Sequence, residues 1–170
     1  MQICIQDLRD YNEGLLRYKW VDLSRVYDLE ELQEIVSSYL DERTKETGEL
    51  HEEWFIADYE DFPNLGEYPG LESVMEVAAL VENYDWRVVK AFIEYEGIEY
   101  LDNFEEKFRG IYESEKDFAR EDIQSHYNLE KMMGVLSMYF DYEAYAIDLF
   151  INDFFFVKIA PCEIAVFCRN

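Results

Sequence analysis

Apolar and polar positions change their spacing several times along the chain, and each change marks an element. Residues 2–6 alternate, with Ile3 and Ile5 on one face, the period of a strand buried on one side. The polar stretch 7–14 reads as a loop, in which Asn12 and Gly14 tolerate left-handed backbone angles. A second strand is expected over 18–21. From Asp28 the period becomes helical. Leu29, Leu32, Ile35, Val36, Tyr39 and Leu40 form one stripe, with Asp28 at the N-cap position and Glu31 three residues on. The polar residues 41–50, with Gly48, predict a loop. Over 53–59, Trp54, Ile56 and Asp58 alternate against Phe55, Ala57 and Tyr59, a third strand.

Residues 62–70 hold Pro63, Gly66, Pro69 and Gly70, the strongest punctuation in the sequence. Beyond it the spacing predicts short helices. Leu71, Val74, Met75, Ala78 and Val81 mark one ending near Asn83. Asp85 caps a second, carrying Val88, Val89 and Phe92, with Gly97 past its end. Asn103 caps a third, carrying Phe104 and Phe108 and stopping at Gly110. Ser114 and Asp117 form a capping box for a helix over 115–125. Leu129, Met132, Met133, Leu136 and Tyr139 predict another, weakened by Gly134. Asp141 caps a last helix, with Tyr142, Tyr145, Ala146 and Leu149 on one side. Strands over 153–157 and 163–167, broken near Pro161, close the chain as a hairpin packed on those helices. Its apolar content also makes it a candidate dimer surface.

This order predicts an α+β protein of three small domains: an N-terminal α+β domain over 1–62, a small helical domain over 63–110, and a C-terminal α+β domain over 111–170. Some forty residues are too few for an independent core, so the middle module is expected to lean on its neighbours.

Charge changes the picture. The 170 residues carry 39 Asp and Glu against 15 Lys and Arg, a net charge of -24. A hydrophobic fraction of 49%, with 14 Tyr and 12 Phe, still permits a packed core. Solubility asks for a net charge of only about 2–8 in a small domain, and further repulsion destabilises the compact state. The excess therefore points to a cationic partner and argues against direct binding to nucleic acid or anionic lipid. B-DNA carries one negative charge per about 1.7 Å of axis, so 24 charges equal those of about 12 base pairs, or about 40 Å.

Familiar catalytic and metal-binding patterns are not found. His51 and His126 are the sole histidines, and Cys4, Cys162 and Cys168 lack zinc-site spacing. There is no phosphate-binding loop, dinucleotide turn or nucleophile elbow. The run from Asp10 to Gly14 departs from a calcium loop, with its glycine one place early and Val21 at the twelfth. Adjacent carboxylates are unavoidable at this density and carry no catalytic information. No enzyme, cofactor or metal is expected. The cysteines read as reduced and mostly buried; with no leader peptide or membrane span in evidence, the protein is expected to be cytoplasmic.

Two stretches repeat the acidic-aromatic recipe most densely: Glu52-Glu53-Trp54-Phe55-Ile56-Ala57-Asp58-Tyr59-Glu60, and Asp141-Tyr142-Glu143-Ala144-Tyr145-Ala146 with Asp148-Leu149. With Tyr11-Asn12-Glu13-Gly14 and the downstream Trp20, they resemble the motifs of the ArdA antirestriction proteins over nearly the whole chain. Tyr18 stands where relatives commonly have Gly, and Ile147 where a basic residue is usual. The resemblance implies an elongated, three-domain, non-enzymatic inhibitor that pairs through its C-terminal domain. It further implies mimicry of bent B-form DNA in the DNA-binding groove of Type I restriction–modification enzymes of a bacterial host.

Candidate phosphate surrogates are Glu30, Glu31 and Glu34; Glu52, Glu53, Asp58, Glu60 and Asp61; Glu72 and Glu76; and Asp102, Glu105, Glu106, Glu113, Glu115, Asp117, Glu121 and Asp122. Trp54, Tyr59, Tyr142 and Tyr145 are assigned to the scaffold or a dimer interface. An acidic adaptor for a basic regulator would need charge without phosphate-like spacing, and a carboxylate-dependent hydrolase would need a concave cluster and a metal.

Overall fold

Each end of the chain supplies the middle strand of a three-stranded antiparallel sheet. In the computed structural model, which describes residues 1–169, β1 (Gln2–Asp7) lies between β2 (Tyr18–Asp22) and β3 (Trp54–Glu60). Near the other end, β6 (Glu163–Cys168) lies between β4 (Phe108–Tyr112) and β5 (Phe154–Ala160). Helices fill the chain between: α1 (Leu8–Asn12), α2 (Leu29–Thr47), α3 (Leu71–Val81), α4 (Trp86–Glu96), α5 (Phe104–Lys107), α6 (Glu115–His126), α7 (Leu129–Met133) and α8 (Tyr142–Asn152). The class is α+β, with sheets toward the ends and helices in the middle, as the sequence predicts. The backbone groups into two compact units, one up to Lys90 and one from Ala91, dividing inside α4. The Pro/Gly stretch 62–70 thus lies within the first unit.

In the first unit, Ile3 and Ile5 are fully buried, and the stripe of α2 contributes Leu32, Val36, Tyr39 and Leu40 to the core. Asp28 Oδ1 accepts the Glu31 amide at 2.9 Å, so the expected cap forms. The helix does not stop at Leu40, as the polar run 41–50 suggested; it continues to Thr47 and ends on Gly48 at φ 75°. Position 43 prolongs the buried stripe, and its Arg is tolerated there because Asp10 receives the guanidinium. Residues 7–14 are not wholly loop either. Asp7 Oδ1 accepts the Asp10 amide at 2.8 Å and caps the short α1. Along β3 the alternation breaks: Cys4 pairs Asp58 while Ile5 pairs Ile56, so Ala57 bulges out and is exposed.

The second unit is built on aromatic rings. Phe167 of β6 is fully buried, with its centroid 5.2–6.1 Å from those of Phe92, Phe104, Phe108 and Phe155. On the other face of the sheet, Phe118, Ala119, Ala146, Leu149 and Phe150 pack against Ile164 and Val166, which is the expected packing of the hairpin on α6 and α8. Two helical expectations fail here. Phe108 to Gly110 begin β4 rather than ending a helix, because Phe108 pairs with Phe167 and Gly110 adopts φ 134°. The helix expected over 129–139 breaks at Gly134 (φ 57°, ψ −133°) into α7 and a 3-10 turn, Gly134–Tyr139, neither holding a buried residue. Of the thiols, only Cys4 is buried; Cys162 is exposed and Cys168 half-buried, because they flank the turn and end of the terminal hairpin.

Candidate functional site: the carboxylate surface

Glu30 and Glu34 are one turn apart on the solvent side of α2, and Glu72 and Glu76 stand in the same relation on α3. Both pairs are exposed, opposite the buried stripes that orient their helices. Four residues of helix rise about 6 Å, and that length of duplex axis carries about two phosphates of one strand. Like charges at this spacing cost a helix a few tenths of a kcal/mol per pair. Glu31, half-buried, turns back to accept the Tyr27 amide at 2.7 Å.

Glu52 and Glu53 are exposed in the segment leading into β3. That segment is tied down by the Leu8 amide, which donates to the Glu53 carbonyl at 2.9 Å. Asp58 and Glu60 are exposed on β3, and Asp61 follows at φ 51°, a left-handed turn residue of a type that short polar side chains tolerate. In the second unit, Asp102 lies in the 3-10 turn Ile98–Asn103, Glu105 and Glu106 in α5, Glu113 before α6, and Glu115 and Glu121 on α6; all are exposed. Asp117 and Asp122 are half-buried and internally engaged. Asp117 accepts Ser114 Oγ at 2.6 Å and Arg120 at 3.1 Å, and Asp122 accepts the Tyr145 hydroxyl at 2.8 Å.

Fifteen of the eighteen predicted carboxylates are therefore exposed. Among the described residues, Glu30, Glu34, Glu52, Glu53, Glu60, Asp61, Glu72 and Glu76 engage no cation or side-chain donor. The basic side chains go elsewhere. Arg9 meets Glu13 and Glu49, Arg17 meets Glu46, Lys107 meets Glu96 and Lys116 meets Glu143.

The four aromatic residues hold local structure. Trp54 is half-buried at the start of β3, opposite Asp7. Tyr59 stacks on Phe62 at 6.1 Å and donates its hydroxyl to the Gly66 carbonyl at 2.6 Å, pinning the Pro/Gly loop. Burial pushes its phenol up to about 12. Tyr145 is likewise pushed up to about 12, by burial and by the Asp122 carboxylate it binds. Tyr142 carries Arg120 over its ring at 5.2 Å.

A family model described as antirestriction protein (ArdA) matches residues 3–160. The chain belongs to the ArdA antirestriction family. ArdA proteins are non-enzymatic antirestriction factors, which accords with a surface built for charge. No curated protein matches the chain. No helix among the described residues is long and apolar enough to cross a membrane.

Sequence reasoning missed one buried charged cluster in this ArdA chain: Asp7, Asp10, Arg43 and His51. The signal was an Arg at the next stripe position after Tyr39 and Leu40.

Proposed function

We propose that this protein inhibits Type I restriction–modification enzymes by occupying their DNA-binding groove as a B-DNA mimic. The observation that carries this reading is the run of exposed, unengaged carboxylates fixed on α2, β3 and α3. Held by folded elements, they meet a phosphate-binding groove with little ordering cost. Their attraction is coulombic and screened by salt. The residues matched to phosphates are the fifteen exposed acids; Glu31, Asp117 and Asp122 are instead engaged within the fold, by the Tyr27 amide, by Ser114 and Arg120, and by the Tyr145 hydroxyl.

The rest of the reading concerns assembly. The segment from Leu129 to Tyr139 exposes Met132, Val135, Leu136, Met138 and Tyr139 between 58% and 80%, an apolar surface suited to pairing two chains. A homodimer formed there doubles the charged length. The three-domain division at 62/63 and 110/111 belongs to the same reading, its middle module running across the division after Lys90. The site of action is the cytoplasm of a bacterial host.

The test is displacement of labelled specific DNA from a purified Type I complex across a salt series, with an unfolded acidic peptide of matched composition as control. Stoichiometric displacement that weakens steeply with salt is expected from the folded protein alone. Displacement by the peptide, or affinity indifferent to salt, overturns the mimic. No displacement at low salt points instead to an acidic adaptor.

A further inference from the structure

Beneath the acidic surface of the first unit lies a set of ionisable groups that this function does not use. Asp7 ends β1, Asp10 lies in α1, Arg43 in α2 and His51 ahead of β3, and each is 5% exposed or less. Arg43 and Asp10 satisfy one another through two contacts, at 2.6 and 3.1 Å. Asp7 and His51 are left incomplete. Asp7 Oδ1 caps α1, and His51 Nε2 lies 3.0 Å from Thr47 Oγ1. Asp7 Oδ2 and His51 Nδ1 are buried without a hydrogen-bond partner. Nδ1 stands 2.9 Å from Asp7 Oδ1, out of line for a hydrogen bond.

The charges do not balance. Two buried carboxylates face one guanidinium, so with a neutral imidazole the cluster lacks one positive charge. Leaving a buried charge without a partner is strongly destabilising. One ligand atom from each of Asp7, Asp10 and His51 falls within 4.8 Å of the others. A cavity of about 430 Å³ reaches Asp7 and His51, its rim carrying, among the described residues, Glu13, Glu52 and Glu53 against the single cation Arg9. Its acidic rim concentrates cations.

We propose that Asp7, Asp10 and His51 hold one divalent transition-metal ion. One imidazole nitrogen with carboxylate oxygens suits zinc better than magnesium or calcium, which take oxygen alone. Tetrahedral bonds of about 2.0–2.2 Å place neighbouring ligand atoms about 3.4 Å apart, so His51 Nδ1 and Asp7 Oδ1, at 2.9 Å, need separate by only about half an ångström. Asp10 serves both Arg43 and the ion, since a carboxylate offers about four lone-pair sites. The ion more than offsets the missing charge, part of the Arg43 charge being shared with Glu46, and ties β1, α1 and the segment bearing Glu52 and Glu53 together.

The experiment uses the full chain, stripped with chelator and dialysed against zinc in excess magnesium to occupy the outer carboxylates. One zinc per chain is expected, with a raised Tm. Asp7→Asn and His51→Gln, each checked for native circular dichroism, should lose more than the roughly 10–100-fold in affinity that removing an outer-shell partner costs. Cobalt on the unaltered chain gives a readout independent of variant folding: visible absorption bands, abolished by one equivalent of zinc. Absence of those bands, or zinc retained by both variants, overturns the proposal. A wild-type Tm that responds to pH and not to zinc also overturns it, assigning the missing charge to a proton on His51.

Discussion

The two units build the same small sheet, three antiparallel strands with a terminal strand in the middle, and fill it in opposite ways. Beneath β1 the packing is aliphatic and includes a charged cluster; around β6 it is made of stacked and edge-on phenylalanine rings. Aromatic contacts add about 0.5–1.5 kcal/mol per pair beyond the area they bury and are indifferent to pH. Buried ions contribute stability only while every partner is present and correctly charged. One unit therefore has packing that acid does not touch, and the other has packing that acid weakens. Both must resist the repulsion of the same surface.

Trp20 and Trp54 lie well inside the first unit and Trp86 in α4, where the units divide, so fluorescence is weighted to the first unit while circular dichroism reports on both. The largest contrast is expected from Phe167→Ala, which empties the centre of the aromatic core at about 4 kcal/mol. Its denaturation should move the dichroism transition more than the tryptophan one. Equal movement of both probes would mean the units unfold together. Arg43→Met should do the reverse, at about 3 kcal/mol, because Asp10 is then buried without the guanidinium that pairs with it.

The same ion pair gives the sign of the acid response. Its hydrogen bonds from Arg43 hold the Asp10 carboxyl below the usual range. A depressed folded value stabilises above the unfolded value of about 3.9 and is lost as pH falls through the folded one. Tryptophan fluorescence should therefore detect acid unfolding before any change confined to the second unit, and Asp10→Asn should flatten that response. In alkali the units behave alike. Tyr59 and Tyr145, one in each, are pushed up to about 12. Their stabilisation is complete below about 10, the unfolded value, and disappears as pH rises toward 12. Ultraviolet titration should show late-ionising tyrosines, with one fewer in Tyr145→Phe; a loss from the ordinary range near 10 instead would show that Asp122 does not hold that phenol. The smallest effects are the caps: Asp28→Ala on α2 and Ser114→Ala on α6 should each cost about 1 kcal/mol, the first seen by fluorescence and the second chiefly by dichroism.

The legible parts of the fold were those where one local cause sufficed. Asp28 with Glu31, Ser114 with Asp117, and the alternation of Ile3 and Ile5 each decide their element within a few residues. The misread parts depend on a distant partner. Arg43 looks like the polar end of a helix until Asp10, 33 residues earlier, takes its charge. Phe108 has helical spacing from Phe104 until Phe167 claims it for a sheet. Gly134 weakens a helix in sequence and breaks it in space, because no core residue lies beneath it to repay continuation. The carboxylates were legible for a simpler reason: hydration needs no partner, so composition alone puts them outside. Of the three that turn inward, Glu31 and Asp117 stand at the capping positions the sequence marks, whereas Asp122 is singled out by Tyr145, 23 residues away.

Among the described residues, the pairs Glu30–Glu34 and Glu72–Glu76 lack counterions, so the folded protein carries a standing electrostatic load that any well-placed polycation relieves. Ligand and stabiliser are then the same thing. By linkage, whatever binds the folded surface better than the unfolded chain raises the melting temperature. Thermal shift can thus rank candidate targets directly, without an assay of their activity. On the proposed reading, a bound enzyme groove becomes, in thermodynamic effect, the missing half of the inhibitor's own fold.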